Sequence, residues 1–237
     1  MKCIIVQQND FDKYVAKIFA RQLLIKPDST FCFATGTTTE KIFEELVKLK
    51  QELDLDFTNA KAVNLDEYCG VSKEDIAGCY YRICRDLYIP LGLKEENFYV
   101  PIAPFEEREE ECERFKQVLD SFGGIDLMLL SVGTNGHIAF NEPTTPWGLD
   151  VFVTELSKST LEAKSELFGG IENVPKYGIT MGVARIMQAR QIVFVAKGSH
   201  KADIIHKIFR GPVTESIPGS VLQLHPNVLM VVDENVM

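Results

Sequence analysis

Short apolar segments alternate with helical patterns along almost the whole chain, and this alternation restricts the fold more than any other feature. Strand-like segments lie at 3–7, 30–34, 61–65, 97–100, 125–131, 191–196 and 227–232. The segment 125–131, IDLMLLS, is apolar nearly throughout, as is typical of a strand that helices cover on both faces. Apolar residues at helical spacing separate most of the strands, with one helix expected near 180–188. The pattern predicts an α/β fold with a doubly wound, mostly parallel sheet and helices on both faces.

The composition is typical of a globular protein, with 46% hydrophobic and 25% charged residues. The 237 residues are enough for one large domain, and no Pro- or Ser-rich linker divides them. We therefore expect a single domain over residues 1–237. The 25 basic and 34 acidic residues give a net charge of −9, which argues against binding to nucleic acid or to an anionic membrane.

The cysteines and the chain start indicate a cytoplasmic protein. The six cysteines are scattered without CxxC pairs, mostly among apolar residues, as expected for buried free thiols in a reducing compartment. The first apolar run is too short for a signal peptide, and no segment approaches the roughly 20 apolar residues of a membrane span. His200, His206 and His225 lack the spacing of metal ligands, so we expect no metal.

Three polar segments follow predicted strands, at 35–39, 66–68 and 133–143. In open α/β sheets, ligands bind beyond the carboxyl ends of the strands, where such segments converge. This convergence predicts an active site at that edge of the sheet.

The first segment, Thr35-Gly36-Thr37-Thr38-Thr39, lies between a strand and a helix. Backbone amides, the helix dipole and three threonine hydroxyls after Gly36 favour an anion at this position. Thr37 and Glu40 also fit the spacing of a capping box, which is a purely structural alternative. The segment matches neither the P-loop nor the dinucleotide-binding glycine pattern.

The other two segments carry groups suited to proton transfer. Asp66 ends a strand, where it can act as a base or, alternatively, only form a turn. The segment GTNGHIAFNEP places His137 two residues after Asn135 and five before Glu142. Histidine titrates near neutrality, and an amide and a carboxylate at this spacing can orient it, which favours a catalytic histidine over a structural one.

Five segments together resemble the glucosamine-6-phosphate deaminase family, and they occur in the family's order along nearly the whole chain. These are ATGTTTEKIFEEL, NLDEY, GTNGHIAFNEP, VPKYGITMG and LQLHP. The resemblance implies the Rossmann-like fold that these deaminases share with the 6-phosphogluconolactonases. It also implies conversion of an amino-sugar 6-phosphate and water to a ketose 6-phosphate and ammonia, without a cofactor. The lactonases have a similar Gly-His turn but typically lack the following FNEP.

The resemblance also implies roles for individual residues. Asp66 matches the base that moves a proton from C2 to C1, and His137 matches the residue that opens the sugar ring. Glu142 matches the carboxylate partner of that histidine, and Asn135 completes the relay. The residues implied to bind the substrate phosphate are Thr35, Gly36, Thr37, Thr38, Thr39 and Lys201.

The stretch at about 144–172 corresponds to a mobile lid, and there the sequence departs from the family. Glucosamine-specific members carry an RVANSRFF-like segment whose second arginine holds the phosphate, whereas this chain has Glu166 at that position. A carboxylate repels a phosphate, so either Lys164 substitutes for the arginine or the lid binds differently. Phe152 and Thr154 stand where larger members have basic residues of an allosteric site, so we expect no activation by N-acetylglucosamine 6-phosphate. The altered lid is similar to that of galactosamine-6-phosphate relatives.

Two other functions stay open from the sequence: a 6-phosphogluconolactonase-like hydrolase, and a non-catalytic regulator that binds a sugar phosphate. The lactonase needs His137 but no base at Asp66. The expected partner in every case is a small-molecule sugar phosphate. The sequence is compatible with a monomer or a small homo-oligomer.

Overall fold

The computed structural model describes residues 1–236, and seven of its strands form one sheet. The strands are β1 (Lys2–Val6), β2 (Thr30–Phe33), β3 (Lys61–Asn64), β4 (Asp66–Tyr68), β5 (Phe98–Tyr99), β6 (Leu127–Ser131), β7 (Val151–Glu155), β8 (Tyr177–Met181), β9 (Ile192–Ala196) and β10 (Val228–Asp233). The large sheet has the order β1-β10-β9-β6-β2-β3-β5, and every neighbouring pair is parallel. The parallel sheet predicted from the alternation is therefore confirmed, and its strands overlap the seven strand-like segments.

The helices cover both faces of this sheet. They are α1 (Phe11–Ile25), α2 (Thr37–Glu52), α3 (Cys79–Ile83), α4 (Ile89–Leu91), α5 (Arg108–Ser121), α6 (Lys158–Lys164), α7 (Val183–Ile186) and α8 (Ala202–Arg210), with a π-helical segment, Cys84–Tyr88, between α3 and α4. Within residues 1–236, no helix combines the length and the apolar character that crossing a membrane requires.

Residues of β2 point alternately into two apolar clusters, one on each face of the sheet. Phe31 and Phe33 pack in a cluster with residues of α1 and α2. Cys32, between them, lies in a second cluster with residues of α5 and α8. This alternation follows from the period of two along a strand, and it explains why the central strands are apolar at every position.

A second, smaller sheet was not predicted. It has the order β4-β8-β7, and both pairs are antiparallel. The expectation of a helix over 180–188 was wrong at its start, because Tyr177–Met181 form β8 and only Val183–Ile186 are helical. The stretch 144–172 also contains β7, which pairs with β8 along its whole length. Asp66 opens β4 opposite Thr180, so the small sheet holds it just beyond the carboxyl end of β3.

Candidate active site

A cavity of about 280 Å³ opens at the carboxyl edge of the parallel sheet. The segments that follow β2, β6 and β9 line it, together with the first residue of β4 and one side of α6. Eight of the ten residues singled out in the sequence border this cavity: Thr35, Gly36, Thr37, Thr38, Asp66, Asn135, His137 and Lys201. The structure thus brings together residues from distant parts of the chain, and Thr39 and Glu142 lie behind the cavity wall.

The loop before α2 and the first residues of that helix border the cavity. The Thr35 hydroxyl donates to Oδ1 of Asn64 at 2.9 Å, which fastens the loop to the end of β3. Gly36 is extended and precedes the first helical residue, Thr37, and both border the cavity, so the unpaired amides of the first turn of α2 lie next to it. The first turn of α2 is therefore a place where an anion can be bound.

Thr39 does not border the cavity but closes the first turn of α2. Its buried hydroxyl lies 2.9 Å from the carbonyl oxygen of Ala34 and accepts from the backbone N–H of Gly36 at 3.1 Å. The cap suggested for Thr37 and Glu40 is not formed, because Glu40 instead pairs with Arg82 at 2.7 Å. The sequence pattern predicted a cap at this helix start correctly, but the cap forms one residue earlier, between Gly36 and Thr39.

Two lysines supply positive charge to the cavity. Lys201 is buried, and its Nζ donates to the hydroxyl of Thr38 at 3.0 Å. Burial and the nearby charge of Lys164 lower the pKa of Lys201 to about 8. Lys164, at the end of α6, borders the cavity, whereas Glu166 is exposed and does not. Glu166, which occupies the position of the family's arginine, therefore does not place its carboxylate in the cavity.

Asp66 is a buried carboxyl group on the cavity wall. Burial, together with the charge of Glu67, raises its pKa to about 7, although Lys164 acts in the opposite direction. The side-chain amide of Asn64 holds the Asp66 backbone carbonyl at 2.6 Å, and the Cys79 thiol lies 4.0 Å from Oδ1. A buried carboxylate with a raised pKa is a stronger base than an exposed one, which suits it to take a proton from carbon.

Glu67 supports this wall from behind, and sequence reasoning missed it. Its carboxyl group accepts from the backbone N–H groups of Tyr68, Cys79 and Tyr80 at 2.8, 2.9 and 2.6 Å. Burial raises the pKa of Glu67 to about 7, and these hydrogen bonds oppose the rise. Glu67 thereby fixes the start of α3 beside Asp66. The signal in the sequence was strand alternation: neighbouring side chains point to opposite sides of a strand, so Glu67 is expected on the side away from Asp66.

His137 borders the cavity, and Glu142 lies next to it behind the cavity wall. Nδ1 of His137 lies 3.4 Å from Oε2 of Glu142. Asn135 holds both groups, since its amide donates to Oε2 of Glu142 at 2.8 Å and its Oδ1 accepts from the His137 backbone N–H at 3.0 Å. Burial raises the pKa of Glu142, but interactions with His137, Thr160 and Asn135 outweigh burial and bring it to about 2. Glu142 is therefore a carboxylate that can stabilise a positive imidazole.

Two further hydroxyls reach Glu142, one from α6 and one from the residue just before it. Thr160 donates to Oε1 at 2.5 Å, and Ser157 lies 2.9 Å from the same oxygen. Sequence reasoning missed both residues, which are 18 and 15 positions from Glu142 and lie in no recognisable motif. No group of three or more His, Cys, Asp or Glu side chains within residues 1–236 is arranged to hold a metal ion.

Comparison with known proteins points to one family. The family described as glucosamine-6-phosphate isomerases/6-phosphogluconolactonase matches residues 8–231. A glucosamine-6-phosphate deaminase of Lachnoclostridium phytofermentans is 37% identical over 223 residues, which cover 94% of each chain. A glucosamine-6-phosphate deaminase of a Geobacillus species is 38% identical over 226 residues, covering 95% of this chain and 90% of the relative.

Solved structures agree with this assignment. A structure described as a monomeric glucosamine-6-phosphate deaminase superposes with a TM-score of 0.97 at 33% identity, covering 100% of this chain and 98% of the other. A 6-phosphogluconolactonase of Thermotoga maritima has a TM-score of 0.76 at 16% identity, covering 98% and 99%, and this likeness concerns the fold alone. The chain thus belongs to the glucosamine-6-phosphate isomerase/6-phosphogluconolactonase family.

Proposed function

We propose that this protein is an amino-sugar-6-phosphate deaminase, which converts glucosamine 6-phosphate or galactosamine 6-phosphate and water to the ketose 6-phosphate and ammonia. The observation that carries the proposal is a single cavity bordered by a buried carboxyl group, by a histidine with a carboxylate partner, and by the start of a helix next to a buried lysine. The deaminase relatives support this choice, whereas the lactonase neighbours resemble the chain in fold only.

We propose that the substrate phosphate binds at the start of α2. The amides and hydroxyls of residues 35–38 can donate to its oxygens, and Lys201 and Lys164 can supply the opposing charge. Thr39 supports the loop through its cap and makes no direct contact in this proposal. A phosphate held there places the sugar between Asp66 and His137, which border the same cavity.

His137 is proposed to open the sugar ring. A proton moves from the imidazole to the ring oxygen as the C1–O5 bond breaks, and the O1 proton is released as the C1 aldehyde forms. Glu142 faces Nδ1 of the imidazole while the charge of the ring changes, and Asn135 keeps this carboxylate in place by bonding to Glu142 and to the His137 backbone. The geometry is that of a general acid with a positioned carboxylate partner.

Asp66 is proposed to carry the proton from C2 to C1. Its carboxylate takes the C2 proton, the C–H electron pair forms a C1=C2 bond, and the aldehyde oxygen gains a proton to give an enolamine. Asp66 then returns the proton to C1, and the nitrogen lone pair forms an iminium at C2. Water adds to C2 and ammonia leaves, which gives the ketone. C1 is reduced as C2 is oxidised within the same molecule, and hydrolysis of the iminium then releases ammonia, so the sequence needs no redox cofactor.

We further propose that α6 and its neighbours within 144–172 act as a lid in a single domain over residues 1–237. Ser159, Thr160, Ala163 and Lys164 border the cavity from this side, which supports that assignment. The similar monomeric deaminase supports a monomer, with a small homo-oligomer as the alternative. Five buried cysteines support a cytoplasmic location, and the charge of −9 argues against nucleic acid or membrane partners.

Ammonia release tests the function directly. Purified protein is assayed with glucosamine 6-phosphate and galactosamine 6-phosphate side by side, and kcat/KM for each names the preferred sugar. We expect release from at least one, and a protein silent with both but hydrolysing 6-phosphogluconolactone would refute the deaminase. Asp66→Asn is the matched variant, because it removes the base with almost no change of shape. A deaminase loses nearly all turnover with this change, whereas a lactonase does not require the base.

A further inference from the structure

We propose that Thr160, assisted by Ser157, is a positioning residue for Glu142. The helix that brings Lys164 to the cavity then also fixes the orientation of Glu142 towards His137. This inference rests on the proposed function, because it concerns the ring-opening step of that reaction. Neither hydroxyl belongs to the residues singled out from the sequence. Both lie on or at the start of α6.

The two oxygens of Glu142 have different partners. Oε1 faces the hydroxyls of Thr160 and Ser157, at 2.5 and 2.9 Å. Oε2 accepts from Asn135 at 2.8 Å and faces Nδ1 of His137 at 3.4 Å. Because a carboxylate is planar, holding Oε1 limits rotation of the group and fixes the direction in which Oε2 is presented to the imidazole.

Thr160 is the more decisive donor of the two. Its side chain is only 3% exposed, and its single hydroxyl proton is directed to Glu142. The Ser157 hydroxyl has three acceptors within reach: Glu142, Ser159 and Thr160. It also caps α6 by accepting from the Thr160 backbone N–H at 3.3 Å. Ser157 therefore places the helix start, and Thr160 fixes the carboxylate.

The same helix reaches the phosphate end of the cavity. Lys164 follows Thr160 by four positions, which puts the two side chains on one face, one turn apart. A phosphate that binds Lys164 therefore restrains α6. One turn earlier in the same helix, Thr160 contacts Glu142. The phosphate does not react, but its binding energy then helps to orient Glu142 and, through it, the His137 imidazole that acts on the ring oxygen.

Thr160→Val tests the role, because valine has nearly the shape of threonine but no hydroxyl. We expect kcat to fall at least about tenfold, as for partial loss of general acid catalysis, while KM stays within about threefold. Thr160→Ser, which keeps the hydroxyl, is expected to recover most of kcat. Thr154→Val on β7 is the matched control, since Thr154 is outside the cavity wall and its hydroxyl reaches only the carbonyl oxygen of Glu155, at 3.3 Å.

Three results would overturn the positioning role: an unchanged kcat in Thr160→Val, a serine variant as slow as the valine variant, or an equal loss in Thr154→Val. If Thr160→Val does not fold, Ser157→Ala decides, with a smaller fall in kcat expected and an unchanged kcat counting against the role. A wild-type protein that releases no ammonia refutes the proposed function instead. In that case a crystal structure of Thr160→Val still tests the inference, which fails if Oε2 of Glu142 keeps its place beside Nδ1 of His137.

Discussion

The Nζ atom of Lys201 donates a 3.0 Å hydrogen bond to the hydroxyl of Thr38, although the two residues are 163 positions apart in the chain. The bond joins the segment before α8 to the first turn of α2, at the edge where the strands end. A buried lysine next to helix amides is a costly arrangement without an anion, because burial penalises its charge and lowers its pKa to about 8. The pairing therefore supports the phosphate position proposed above.

Replacement of Lys201 by methionine removes the charge and keeps most of the length. Since a charged hydrogen bond contributes about 1.5–3 kcal/mol, we expect KM for the sugar phosphate to rise roughly 10- to 100-fold. The inhibition constant of inorganic phosphate is expected to rise by a similar factor. Lys207→Met on the exposed side of α8 is the control, and equal KM values for the two variants would contradict the assignment.

Lys164 and Glu166 are two positions apart, but we expect their replacement to affect KM very differently. Lys164 borders the cavity, whereas Glu166 is exposed outside it. We expect Lys164→Ala to raise KM about tenfold through loss of one charged contact, and Glu166→Ala to leave KM within about twofold. Steady-state kinetics of both variants check this. A larger effect at Glu166 would mean that the lid binds the phosphate through a different segment.

The rise of kcat/KM on the acidic side of its pH profile is expected to follow Asp66. This carboxyl group has a raised pKa of about 7 and must be ionised to accept the C2 proton. Protonation of Asp66 at lower pH removes the base, so kcat/KM should rise with pH up to about 7, and above about 8 it should fall again because Lys201 loses the charge that binds the phosphate. The profile is measured between pH 5.5 and 9 with C2-deuterated substrate as a check that proton removal limits the rate. A flat profile with a full isotope effect would contradict the role.

Gly133 leaves room for the His137 imidazole. A Cβ atom at this position would overlap the ring atoms of His137, so Gly133→Ala must displace the ring from its present position. Because small misplacements of a catalytic group can cost about 100-fold in rate, we expect kcat to fall by 10- to 100-fold. Gly148→Ala is the control, since nothing lies within 4 Å of its added Cβ. Equal kcat in the two variants would show that the ring position is not critical.

The large sheet could be predicted because each of its strands has its own local signal. Segments such as 125–131 are apolar on both faces, and helical spacing follows most of them. The site segments could be found for the same reason, since strand ends in a parallel sheet converge at one edge. The GTNGHIAFNEP segment placed Asn135, His137 and Glu142 within eight residues, and the structure keeps them in contact.

The small antiparallel sheet could not be predicted in this way. Asp66 pairs with Thr180 in strands of three and five residues, so the pairing depends on a partner more than 100 positions away. A short strand of this kind has no periodic pattern of its own, and the last two residues of β8 fall within the segment near 180–188 for which the sequence predicts a helix. Only the folded chain shows that this sheet, and not β3, holds Asp66.

The sequence by itself determined the α/β class, the edge that carries the site and the residue types of its chemistry, because these depend on local patterns. The tertiary structure alone decided which of several similar side chains face the cavity. Thr38 borders it and Thr39 does not, since successive helical residues point in different directions. Lys164 borders it and Glu166 does not, and the hydroxyl of Thr160 reaches Glu142, because α6 packs against the His137 wall through contacts between residues distant in the chain.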